Sequence, residues 1–129
     1  MYEVIQHQRL EANASAITFS GIPQNYTDLL LVHSLRTTLG AVYHFDDTSV
    51  RINGDTSTIY TNRLLQSREG SINSGGGSGQ NNILAPESTA SGSPTGTFGN
   101  GRLYFTNYTA SSGKLVISEG VTETTSGST

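Results

Sequence analysis

Acid–base chemistry in this sequence would have to come from His44 with Asp46 and Asp47, the one place where histidine and carboxylates crowd together. A working base needs a carboxylate that orients its ring through space. Two residues of separation in a polar connection give proximity and nothing more. His7 and His33 share no zinc-type spacing with another ligand, and the chain has no cysteine. His33 falls on an apolar face and reads as a hydrogen-bonded core or interface residue. Asp46, Asp47, Asn53 and Asp55 offer oxygen to a calcium ion, but without the spacing and closing glutamate of a helix–loop–helix calcium site. Asn53 and Asp55 are accounted for as turn residues.

Other chemistries fare no better. Gly75 to Gly79 lacks the lysine and the leading apolar strand of a phosphate-binding loop, and reads as a flexible linker. No Gly-x-Ser-x-Gly elbow presents a serine nucleophile. The ten acidic residues could supply the two carboxylates of a glycan depolymerase, but no pairing is readable. Asn13, Asn25 and Asn107 open Asn-x-Ser/Thr triplets, about as many as composition alone produces. The expectation is a protein without catalysis, metal or cofactor.

The elements that would carry these residues are strands. Charged residues are only 13% of the chain, and the balance is Ser, Thr, Asn and Gly, which excludes coiled coils and charge-rich disordered tails. The seven basic residues are scattered and the net charge is -3, so no phosphate-neutralising stripe exists and nucleic acid is not an expected partner. No apolar run is long enough to span a bilayer as a helix, and the N-terminus lacks the pattern of a signal peptide. A length of 129 residues fits a single domain, 1–129.

Period-two alternation recurs along the chain. It predicts strands over 2–10, over 15–20 with Ile17 and Phe19 inward, and over 28–36. The last has Leu29 to Val32 apolar on both faces, as in a strand covered from both sides. Residues 37–47 are open between loop and short strand. A strand over 49–53, burying Val50 and Ile52, leads into Asn53-Gly54, a strong hairpin turn. The return strand is 58–65, unless 62–69 forms a helical turn. Nine of the fifteen glycines lie in 70–101, which therefore reads as one long flexible Gly/Ser-rich loop, anchored midway by Ile83 and Leu84. Strands follow over 102–108, with Leu103 and Phe105 inward, and over 114–118, burying Leu115 and Ile117. Nothing in 122–129 is expected to pack. No stretch has a helical apolar period. The fold class is all-β, an antiparallel sandwich, jelly-roll-like.

The segment Ser15-Ala16-Ile17-Thr18-Phe19-Ser20-Gly21-Ile22-Pro23-Gln24-Asn25-Tyr26-Thr27-Asp28-Leu29 resembles a recurring opening of tailed-phage virion structural and tail-fibre-type proteins of marine and cyanobacterial phages. In that pattern a strand is followed by Ile-Pro, then Tyr-Thr-Asp-Leu, an apolar strand and an arginine, here Arg36. Arg51-Ile52-Asn53-Gly54-Asp55 with Tyr60 and Arg63-Leu64 continues the likeness. So does the Gly/Ser-rich segment leading to Arg102-Leu103-Tyr104-Phe105-Thr106-Asn107-Tyr108. Family members continue through a Trp-containing turn and two more strands. This sequence has no Trp and stops after Gly120-Val121-Thr122 and a polar tail. Either it is a shorter member or its C-terminal strands are missing, which would leave a sheet edge for a partner chain.

The resemblance implies a virion component made in the host cytoplasm, working by self-association, as a homotrimer, and by docking on other virion proteins in a tail fibre, appendage or capsid decoration. The alternative in the same setting is a module that binds host surface glycans through Gly70 to Gly101 or neighbouring loops. Tyr43, Tyr104 and Tyr108, with His44 beside the first, are the candidate interface or glycan contacts.

Overall fold

The computed structural model describes residues 2–68 and 70–122. Among them there is no helix. Seven strands follow in order: β1 (Leu29–Leu35), β2 (Phe45–Val50), β3 (Tyr60–Arg68), β4 (Ser71–Gln80), β5 (Ile83–Thr89), β6 (Gly99–Phe105) and β7 (Val116–Val121). The ladders are antiparallel and fall into three groups, β1-β6-β7, β2-β5 and β3-β4. The β5 strand packs across β6 and β7, so the body is a two-layered β-sandwich with the β3–β4 hairpin attached at one side.

The core is small and graded. On β6 the inward positions run Gly99, Gly101, Leu103 and Phe105. Leu103 is fully buried, and it clusters with Ile83, Ala85 and Phe105 under Leu29, Leu31, Val50, Ile52 and Val116. Towards Gly99 the layers converge. A Cβ on Gly101 would lie 2.8 Å from Pro86 Cβ, and one on Gly99 2.8 Å from the Glu87 carbonyl oxygen. Gly120, the ladder partner of Gly101, also has the Pro86 ring against it. The sandwich is thus a wedge: large apolar side chains fill the wide end, and glycine with Ser88, Thr89 and Ala90 permits contact at the narrow end. Pro86 is tolerated inside β5 because the β2–β5 ladder shifts register between Asp46 and Thr48, opposite it.

This arrangement corrects the expectation of a flexible excursion over 70–101. That stretch contains β4, all of β5 and the start of β6, and it supplies much of the buried core. At Gly76, Gly92, Gly99 and Gly101 the missing side chain permits close approach of a neighbouring strand or loop. Four further expectations change. Residues 2–10 and 15–20 enter no ladder, and Phe19 is exposed. β1 is an edge strand with Val32 67% exposed, not one covered on both faces. In β7 the buried parity is reversed: Val116 packs on the core while Leu115 and Ile117 are exposed. Residues 62–68 are strand, with no helical turn.

Asn53-Gly54 behaves locally as expected and globally otherwise. Both residues have positive φ (55° and 66°), and Asp55 N–H donates to the Ile52 carbonyl at 3.0 Å, the geometry of a type I′ turn. Yet the strands on either side do not pair with each other: β2 takes β5 and β3 takes β4. The expected inward Leu103 and Phe105, and the alternation of Leu31, His33 and Leu35 against Val32 and Ser34, are as observed. The expectation for 122–129 falls, past Thr122, outside the described residues.

Candidate assembly surface

The four candidate contact residues do not form one site. Tyr104 and Tyr108 stand near the start of β1, whereas Tyr43 and His44 lie beside the loop 91–93, near its end. Tyr104 is half-buried, and its hydroxyl donates to Asp28 Oδ2 at 2.6 Å; Asn107 N–H donates to Asp28 Oδ1 at 2.6 Å. The Tyr108 hydroxyl donates to the Pro23 carbonyl, and Tyr108 N–H to the Thr27 carbonyl at 3.2 Å. These two tyrosines therefore tie the Tyr26-Thr27-Asp28 segment to the end of β6. Hydrogen bonds from Tyr104 and the Asn107 amide hold the Asp28 carboxyl below the usual carboxylate range. The same bond raises the Tyr104 hydroxyl above its ordinary value.

At the other end Tyr43 is 53% exposed next to the more exposed Val42, and it alone of the four presents a free ring. His44 is half-buried. Its carbonyl accepts from Ala90 N–H at 3.0 Å and Ser93 Oγ at 2.8 Å. Arg36 organises this end; sequence reasoning placed it only as the arginine that closes the resembled opening. Its Nη1 donates to the Pro94 carbonyl at 3.0 Å and to the Thr97 carbonyl and Oγ1 at 3.1 Å; its Nη2 donates to the Ser93 carbonyl at 2.8 Å. One guanidinium thereby satisfies the turn carbonyls of 91–97. His33 is half-buried against Gly101. Neither ring nitrogen has a hydrogen-bond partner among the described residues, a correction to the hydrogen-bonded role expected of it. Burial lowers its pKa. Asp46, Asp47, Asn53 and Asp55 do not gather: no three metal-capable side chains converge among the described residues.

The feature that sequence reasoning missed is the seam between β3 and β5. No backbone ladder joins them. The Asn62 side chain bridges the gap as a surrogate peptide, its Oδ1 accepting from Leu84 N–H and its Nδ2 donating to the Asn82 carbonyl, both at 3.2 Å. Arg68 forms a second clasp: it ion-pairs with Glu87 and stacks 3.9 Å above the Phe45 ring. Around these clasps lies a groove of about 1110 Å³, lined among others by Ile52, Tyr60, Leu64, Pro86, Leu115 and Val116. The hairpin's outer side carries Leu65 and Ile72, each 77% exposed.

The total balance is unusual for a monomer. The chain exposes 9326 Å². A folded monomer of 13.7 kDa exposes roughly 6600 Å². The excess, about 2700 Å², is more than the nine undescribed residues could add even if fully exposed. No family model, curated protein or solved structure matches the chain.

Proposed function

We propose that the chain is a non-catalytic structural component of a tailed-phage particle, a tail fibre, appendage or capsid decoration, acting by association with copies of itself and docking on other virion proteins. The observation that carries the assembly part is the surface excess. A graded core of four clustered apolar side chains coexists with fifteen exposed large apolar ones among the described residues. Of these, Leu65 and Ile72 lie near one another on one face of the β3–β4 hairpin, an exposed apolar spot that supports a protein–protein contact. The unpaired outer edges of β1, β7 and β4 point the same way. The viral setting and the homotrimer rest on the resemblance carried by Ser15 to Leu29, by Arg51 to Asp55 with Tyr60 and Arg63-Leu64, and by Arg102 to Tyr108; a jelly-roll order of the strands rests on the run of short strands and turns.

Light scattering on the eluting full-length chain tests assembly, and antibody labelling of purified particles tests location. A multiple of the chain mass and labelled virions are the expected results; a strictly monomeric chain or unlabelled particles would remove the corresponding half of the proposal. The glycan alternative is narrower than the sequence suggested, because 70–101 is mostly strand. Its remaining anchor is the open ring of Tyr43, and a glycan array on wild type and Tyr43→Ala checks it.

A further inference from the structure

The chain holds two Asn-Gly dipeptides, Asn53-Gly54 and Asn100-Gly101. An asparagine before glycine is open to a reaction with its own backbone, because no Cβ shields the glycine nitrogen from the side-chain amide. The nitrogen, having lost its proton to base, attacks the asparagine Cγ. A C–N bond forms, ammonia leaves, and a cyclic imide remains. Water then opens the ring at either carbonyl, giving aspartate or, with one more methylene in the main chain, isoaspartate. No oxidant or cofactor enters. What the fold decides is whether side chain and nitrogen can meet.

The two sites are opposite in what governs that meeting. Asn53 and Gly54 are exposed in the connection between β2 and β3. A Cβ built on Gly54 meets nothing within 4 Å. Among the described residues, neither the Asn53 side chain nor the Gly54 N–H takes part in a hydrogen bond. Asn100, in contrast, lies on the central strand β6, paired with Ser34 of β1 and Val121 of β7. Its Nδ2 donates to the Phe98 carbonyl at 3.2 Å, which holds the amide toward the preceding residues. Gly101 is buried, with the His33 imidazole and the Pro86 ring beside it. Asn107, the other asparagine with positive φ, precedes Tyr108, whose N–H is engaged by the Thr27 carbonyl.

We infer that Asn53 is a site of spontaneous deamidation in the folded protein, and that the sheet protects Asn100 from the same reaction. The product matters because of what the turn is attached to. Ile52 packs against the core cluster, and its carbonyl accepts the Asp55 N–H that closes the turn. The isoaspartyl form lengthens the main chain inside that closed loop, so the bond opens and the connection from β2 to β3 loses its shape. The aspartyl form keeps the backbone and adds a second carboxylate to the turn, near Asp55, whose own charge is favoured by its hydrogen bonds from Ser57.

The full-length chain is aged at mildly alkaline pH, folded in one arm and in guanidinium beyond its unfolding transition in the other. Tryptic peptides are followed by tandem mass spectrometry, and isoaspartate is counted by enzymatic methyl transfer. In the folded arm the peptide from Ile52 to Arg63 should gain the mass that replaces an amide NH2 by a hydroxyl, located at residue 53, many-fold faster than the same gain at residue 100. In the unfolded arm the two should convert at comparable rates, since both are followed by glycine and neither is held. Asn53→Gly, which keeps the positive φ without the reacting amide, should lose the isoaspartate signal of the folded arm. Equal conversion of Asn53 and Asn100 in the folded arm would overturn the inference. So would an intact folded-arm Asn53 while the unfolded chain converts, or a disparity that persists unchanged in denaturant.

Discussion

Gly120→Ala probes the narrow end of the wedge directly. A Cβ built on Gly120 lies against Pro86 Cβ, 3.0 Å from Pro86 Cγ and 2.6 Å from the Asn100 carbonyl oxygen. None of these can rotate away. Pro86 is a ring fixed in β5, and the Asn100 carbonyl belongs to the adjoining strand. Relief requires β5 to rise from β6 and β7, which would loosen Ala85 and Ile83 over Leu103. Overpacking of this kind costs about 2–3 kcal/mol. For a chain of this size that is a fall in Tm on the order of 10 °C.

Urea and thermal unfolding followed by circular dichroism, at fixed protein concentration because assembly adds to stability, would measure it. Gly101→Ala should cost less. Its closest neighbour, the His33 imidazole 2.5 Å from the built Cβ, can swing aside, which leaves Pro86 Cβ at 2.8 Å as the one fixed clash. Gly113→Ala, with nothing within 4 Å and no positive φ, should be neutral or add ~0.4–1 kcal/mol. Equal midpoints for Gly120→Ala and Gly113→Ala would refute close contact between the layers.

Three further outcomes follow from the same geometry. Arg36→Lys gives up the fork that holds the 91–97 carbonyls and should lower unfolding stability by about 1.5–3 kcal/mol, with faster amide exchange confined to that loop. Thr89→Val replaces a fully buried hydroxyl that has no hydrogen-bond partner among the described residues and should raise the urea midpoint, by ~1 kcal/mol in stability. Asp28 is depressed by its Tyr104 and Asn107 hydrogen bonds. Its contribution is therefore complete above the ordinary carboxylate range and is lost as pH falls through the lowered folded value. Asp28→Asn should flatten the acid side of the stability–pH curve, and carboxyl NMR should place the Asp28 titration below that of an unstructured aspartate.

The sequence was legible where strands bury large side chains. Leu103 and Phe105 on β6 and the alternation of Leu31, His33 and Leu35 on β1 follow from a period of two and one covered face. It was opaque where the core is made of small residues. Gly99, Gly101, Ala85, Ser88 and Ala90 look like linker composition, since nothing local distinguishes a glycine chosen for mobility from one chosen for contact. Asn53-Gly54 shows the same divide: its backbone geometry is local and was readable, whereas the pairing of β2 with β5 is a long-range choice. In 15–20 the alternation is present without a ladder, since a period of two is local whereas pairing is a long-range choice. The candidate contacts divided accordingly. Tyr104 and Tyr108 spend their hydroxyls within the chain, and the β3–β5 seam had no compositional mark.

The glycine run of β4 has a mechanical consequence. Gly75, Gly76 and Gly77 give β3 almost no side chains to interlock with, so slipping the two strands past one another by a notch changes little within the hairpin itself. What opposes the slide is Asn62, whose amide grips the Asn82 carbonyl and the Leu84 amide. Alignment of the arm thus falls to this carboxamide and to the Arg68–Glu87 ion pair. Without the carboxamide the ion pair alone would resist the slide, and the arm would sample offset registers.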